Sequence, residues 1–163
     1  MHVLRKMTEF EYAVWLDALV PAYAADKVAV GRWSKQEAIE LARKEYGELL
    51  PMGLETENNY LFAVLDQSGQ PVGSLWFGEG QRVGYKVAFV FDLVIETKYR
   101  RLGHAKRALR ALEIEAAKRG LAGIALHVFG HNAGGRALYA ELGYAPTNIN
   151  LYKTITPRGN SDA

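Results

Sequence analysis

The sequence predicts an α/β (α+β) fold, a mixed and mostly antiparallel sheet with helices on both faces. Three observations predict it. Two strand-like runs, "YLFAVLD" and "PVGSLWFGEG", flank the turn "QSGQ" and form an antiparallel hairpin. Two amphipathic helical runs precede that hairpin. Downstream, a β-branched and aromatic run, a helical run and another apolar run follow one another. Strand, helix, strand in that order requires a parallel pair joined by a right-handed crossover.

Each element has its own local reason. Residues 8–24 read as an amphipathic helix in which Phe10, Val14 and Leu19 recur near helical spacing. Thr8 and Glu11 stand at capping-box spacing, and Pro21 is expected to end or kink this helix early. "SKQEAIELARKEYGELL" reads as a second helix capped by Ser34, with Glu37 three residues on and Gly47 weakening its far end. "PMGLETENN" is a connection of breakers and polar residues. After the hairpin, "GYKVAFVFDLVIE" is a third strand of central length, and residues 103–119 a helix with Leu109, Leu112 and Ala116 on one face. Gly120 stops that helix. "IALHVF" (124–129) is a strand, 132–142 a short helix stopped by Gly143, and "NINLYKTI" a last strand. Residues 1–156 are expected to form one domain and 157–163 a disordered polar tail.

Composition narrows the function classes. Lys plus Arg is 20 against 18 for Asp plus Glu, a net charge of +2. That balance is too mild to argue for nucleic acid or an acidic membrane as partner, so any preference for anions must be local. The chain has no cysteine, which excludes disulfides, thiolate metal sites and a cysteine nucleophile. The first fifteen residues carry charges where a signal peptide would be apolar, and the apolar runs are of strand length, so a cytoplasmic location is expected. His127 and His131 fall on a strand and its exit, not on one helical face, and no metal site is predicted.

The stretch "YRRLGHAKRALRAL" (99–112) decides between bland and specific readings. Gly103 sits where a long strand turns into a helix. The first amides of that helix have no intrahelical acceptor and carry the positive end of its dipole. A glycine and the small Ala105 leave the backbone open to an anion, so the amides of 101–105 can cradle a phosphate or pyrophosphate, with Arg100 and Arg101 adding charge. A glycine in a plain turn beside two solvated arginines fits the same residues. The chain has neither G-x-x-x-x-G-K-[ST] nor G-x-G-x-x-G.

"FDLVIETKYRRLGHAKRAL" followed by "LHVFGHNAGGRALYAELGY" resembles the GNAT superfamily of acetyl-CoA-dependent N-acetyltransferases. The first stretch matches the family's strand and R-x-x-G-x-G/A loop at Arg100, Gly103 and Ala105. The second matches its Asn, short helix, Tyr and closing Gly-aromatic pair at Asn132, Tyr139, Gly143 and Tyr144. The resemblance is specific over about 87–145 and only compatible over 1–86. It implies a GNAT-like fold in which 87–95 and 124–129 splay apart.

The resemblance implies roles residue by residue. The cofactor, acetyl-CoA, would rest its pyrophosphate on Arg100, Arg101, Leu102, Gly103, His104 and Ala105. Its pantetheine arm would pair with the backbone of Leu93, Val94 and Ile95, and an amide near Val94 would face the thioester carbonyl. Tyr139 would protonate the departing thiolate, and Asn132 would hydrogen-bond the cofactor while capping its helix. Gly134 and Gly135 are expected to loosen that helix's first turn. An amine of pKa about 10 must lose a proton before it attacks; Asp92 is the chosen base, with Glu96 the other nearby acid. Trp33, Trp76, Phe77 and Tyr60 could line an acceptor site, and Glu55, Glu57 and Glu79 could attract a cationic amine. The expected reaction is direct acetyl transfer to a primary amine, small or peptidic, in a ternary complex. The alternatives are an acyl-CoA-binding sensor or partner module without catalysis and, more weakly, a nucleic-acid-binding domain. The last strand leaves open a homodimer paired across a two-fold axis.

Overall fold

The computed structural model describes residues 2–82 and 84–156. The expected tail, 157–163, lies outside the described residues. The chain divides into two compact units, one ending at Phe129 and the other beginning at Gly130.

The first unit is built on a five-stranded sheet of order β1-β2-β3-β4-β5. Its strands are β1 (Leu4–Lys6), β2 (Asn59–Leu65), β3 (Pro71–Arg82), β4 (Tyr85–Ile95) and β5 (Ile124–Leu126). The first three pairings are antiparallel and β4·β5 is parallel. This is the predicted mixed sheet. β1 has no sequence signal of its own; three residues at an edge are too few to alternate visibly.

Helices α1 (Glu9–Ala29), α2 (Ala38–Leu49) and α3 (His104–Lys118) pack on the two faces. Leu61 and Trp76 face a cluster with Met7, Leu50, Leu54, Tyr12, Trp15 and Tyr46, which places α1 and α2 on that side. The neighbouring Tyr60 and Phe77 point the other way, where Arg119, at the end of α3, lies over both rings. α3 buries Ala108, Leu109, Leu112 and Ala116.

α1 starts as predicted. The Thr8 hydroxyl accepts from the Glu11 amide, the Glu11 carboxylate accepts from the Thr8 amide, and the same carboxylate takes a two-pronged ion pair from Arg5 of β1 at 2.7 and 3.0 Å. Pro21 does not end this helix, which runs eight residues further, to Ala29. Pro21 and Asp17 are both exposed, so water can take the carbonyl that proline leaves without a donor. α2 begins later than its sequence signal: Ser34 offers only its carbonyl, to the Ala38 amide, and the Glu37 cap makes no side-chain bond.

The second unit contains α4 (Ala133–Glu141), capped at Asn132, with Gly143 in a left-handed conformation just past its end. The strand expected at 148–155 is not formed. Alternation makes a strand only where a ladder takes up the backbone groups, and among the described residues no backbone bond ties this segment down. Ile149, Leu151, Tyr152 and Ile155 are left 74–92% exposed.

Candidate active site

The site of the first unit begins with a flaw in a ladder. β3 and β4 pair Trp76 with Asp92 but Phe77 with Val90, so Phe91 is an extra residue bulged out of β4. The bulge turns Phe91 and Asp92 toward the same side. Phe91 stacks on Trp76 at 4.5 Å between centroids, Trp15 meets the edge of Trp76 at 5.6 Å, and Trp15 Nε1 donates to Asp92 Oδ2 at 3.3 Å. Burial pushes the Asp92 carboxyl above the usual carboxylate range, and the Trp15 bond only partly opposes it. Glu96, the other acid considered, is exposed and lies beyond the end of β4.

The bulge also sets which backbone groups are open. The parallel ladder runs from Ala88↔Ile124 to Val90↔Leu126 and stops there, so β5 is three residues long rather than the six expected. Past that point, among the described residues, β4 is paired as a strand on the β3 side only. Glu96 donates to Val72 at 2.9 Å, and the Val94 carbonyl lies so close to Gly73 that a Cβ there would sit 2.2 Å from it. Val94 and Glu96 therefore turn their backbone groups toward β3, and Leu93 and Ile95 turn theirs to the open side. Sequence alternation alone could not settle this, because the extra residue at 91 inverts the phase.

The loop that follows is an open row of donors. Arg101 (φ 63°) and Gly103 (φ 81°) are both left-handed, and Gly103 caps α3 without any side-chain bond. Among the described residues the amides of Arg101, Leu102, Gly103, His104 and Ala105 donate to no acceptor. Left-handed residues next to a helix start gather successive N–H groups into a concavity suited to an anion. A Cβ built on Gly103 would meet no protein atom within 4 Å. Arg100 is engaged: its Nε donates to the Ile95 carbonyl at 2.9 Å, tying the loop to the end of β4. His104 is buried, edge-on to Tyr99, and its Nδ1 accepts from Arg107. It is a wall of the loop's base.

In the second unit, Asn132 Oδ1 accepts from the Gly135 amide at 2.9 Å. A Cβ on Gly135 would fall 2.7 Å from the Asn132 amide group. The glycine expected to loosen the turn is what allows the cap. Tyr139 packs against Tyr144 at 5.6 Å, and burial raises its phenol pKa.

The profile of the acetyltransferase (GNAT) family matches residues 15–144. The chain belongs to the GNAT acetyltransferase family. Two Bacillus subtilis (strain 168) proteins named as uncharacterized N-acetyltransferases are similar throughout. YdgE is 32% identical over 152 residues, 93% of this chain and 97% of YdgE. YycN is 33% identical over 153 residues, 94% and 98% respectively. The crystal structure of YycN superposes with a TM-score of 0.80, covering 94% of this chain and 98% of that one.

This GNAT acetyltransferase is therefore an acyltransferase, and its family typically uses acetyl-CoA as co-substrate. Several residues considered for an acceptor site have other work. Trp76 and Phe77 are core, and Tyr60 lies under Arg119. Glu79 is held by Lys86 at 3.0 Å and Tyr60 at 3.1 Å, and Glu55 by Lys6 at 2.7 Å. Trp33 packs on Tyr23. Glu57 is exposed. The sequence does not mark Trp15 as a site residue, because its partner lies 77 positions away and no local pattern singles it out. Among the described residues no three His, Asp or Glu side chains converge, and no helix is long and apolar enough to cross a membrane.

Proposed function

We propose that this GNAT acetyltransferase moves an acetyl group from acetyl-CoA to a primary amine, by direct attack in a ternary complex. The observation that carries the reading is the run of acceptor-free amides at 101–105, around a left-handed Gly103, beside the open edge of β4. Five such donors fit a diphosphate, and the open backbone of Leu93, with the amide of Ile95 whose carbonyl Arg100 already holds, fits the amide-bearing arm that follows it. Acetyl-CoA would supply the acetyl group as a thioester. The Leu93 amide, rather than that of Val94, would donate to the thioester oxygen as charge grows there, a contribution of about 3 kcal/mol.

Two side chains would move protons. Asp92, its carboxyl biased toward the protonated form by burial, is matched to accept a proton from an ammonium through water. Tyr139, its phenol kept protonated, would give one to the departing sulfur. Asn132 spends Oδ1 on its cap and keeps its Nδ2 donor for the cofactor. The amide row is local, so the site needs no net charge beyond the chain's +2.

The test is calorimetric titration with acetyl-CoA, followed by a screen of amines for release of free thiol. Binding followed by amine-dependent thiol release supports the reading. Binding with no accepted amine would support a sensor instead, and no binding of any CoA ester would remove both.

A further inference from the structure

Asp92 is held in a way its proposed role does not by itself require. Trp15 of α1 bonds Oδ2 alone, and among the described residues Oδ1 accepts no hydrogen bond. The indole is itself fixed on two sides, stacked on Tyr12 at 5.8 Å and edge-on to Trp76 at 5.6 Å. Trp76 is in turn the ladder partner of Asp92 across the bulge. The carboxylate is thus clamped between its own strand and one ring, with one oxygen spent and one left over.

We propose that Trp15 is a positioning residue, whose N–H fixes the Asp92 carboxylate so that Oδ1 is the oxygen presented to the acceptor amine. The inference rests on the reading of Asp92 as base. In the step it serves, an N–H bond of the ammonium breaks with its electron pair staying on nitrogen. The proton passes through a water to Oδ1, and the amine is left neutral to attack. A carboxylate free to turn would offer either oxygen in many orientations, and misplacement of a reacting group by an ångström can cost roughly a hundredfold in rate. Burial and the indole bond act on Asp92 in opposite directions. From α2, Tyr46 is the titratable side chain that shares its field: Asp92 helps push the Tyr46 phenol upward, so Tyr46 stays neutral while Asp92 titrates. β3 contributes Trp76, which carries no charge.

The test compares wild type, Trp15→Phe and Asp92→Asn. Phenylalanine keeps a ring against Tyr12 and Trp76 and removes only the donor. Trp15→Phe should raise the midpoint of the Asp92 carboxyl titration followed by carbon-13 NMR. The acid limb of kcat/KM should move up with it, and kcat should fall roughly ten- to hundredfold while acetyl-CoA affinity holds. In the wild type the Trp15 indole N–H resonance should titrate at the Asp92 midpoint, a measurement that needs no variant to fold. An indole resonance indifferent to that titration overturns the inference. So does a Trp15→Phe enzyme that loses activity with its profile unmoved. If Asp92→Asn is inactive while Trp15→Phe leaves titration and profile unchanged, the base stands and the positioning role falls. If Asp92→Asn keeps full turnover, the base reading has failed and the positioning role goes with it.

Discussion

In the proposed mechanism Asp92, a buried acid, would couple activity to stability. As the proposed base it must be ionised, so kcat/KM should rise with pH through a midpoint above the ordinary Asp value of 3.8. In Asp92→Asn that limb should vanish and turnover drop by about a hundredfold or more. The sign for stability is opposite. A carboxyl whose folded pKa is raised binds its proton better folded than unfolded, so its contribution to stability falls as pH rises above 3.8. Asp92→Asn should therefore melt higher than wild type at pH 7, with the gap closing on acidification; a lower melting point at pH 7 would mean the charge is compensated. Tyr139 makes a separable prediction. Tyr139→Phe should keep acetyl-CoA affinity and lose about a hundredfold in turnover, as read by calorimetry and thiol release. At this scale the sequence was legible where a side chain's role is local. Gly103 at a helix start and Asn132 as a cap both stand where the motif put them. Trp15 and the Arg100 bond to Ile95 were not legible, because each depends on where the chain returns in space.

Elements position these residues, and the bulge in β4 does most of it. By adding Phe91 it stops the parallel ladder at Val90 and turns Leu93 and Ile95 outward. Gly73 keeps that end of β4 in place, since a Cβ there would collide with the Val94 carbonyl. Gly73→Ala should therefore destabilise the protein by roughly 1–3 kcal/mol, measured by denaturant unfolding, and weaken acetyl-CoA binding though it touches no cofactor. The join of β1 to α1 is a second device. Arg5 and the Thr8 cap hold the Glu11 carboxyl down at about 2 against an ordinary 4.5. A depressed acid stabilises above its unfolded pKa and loses that effect as pH falls from about 4.5 toward 2. Both partners are partly exposed, so Glu11→Gln should cost only about 1 kcal/mol at pH 7, and much less near pH 2. The hairpin, β4, α3 and the α1 cap were all readable from period and capping chemistry. The strand predicted at 148–155 was not formed, although its alternation is present, because alternation specifies faces and not a partner. Of the two outcomes expected at Pro21, an early end does not occur, since an exposed helix face tolerates one lost bond.

Over the whole molecule, the balance of 20 basic against 18 acidic residues leaves no broad field to gather anions. In the proposed reading attraction comes from main-chain dipoles at one loop, and such contacts depend weakly on ionic strength compared with a row of lysines. Acetyl-CoA affinity should change little between 50 and 200 mM salt, conditions chosen because a nucleic-acid site would lose about a thousandfold there. Initial-velocity plots against both substrates should intersect, as direct transfer requires; parallel lines would mean a covalent acyl-enzyme. The central claim, that open amides at 101–105 grip the diphosphate, is tested most directly by calorimetric titration of acetyl-CoA into wild type and Gly103→Val. A Cβ at 103 meets no protein atom within 4 Å, and the left-handed φ of 81° is one a β-branched residue rarely adopts, so the valine both enters the space proposed for the anion and strains the row of amides around it. The account predicts a folded variant whose affinity falls at least about tenfold, ~1.4 kcal/mol. A folded variant that binds acetyl-CoA as tightly as wild type would contradict it.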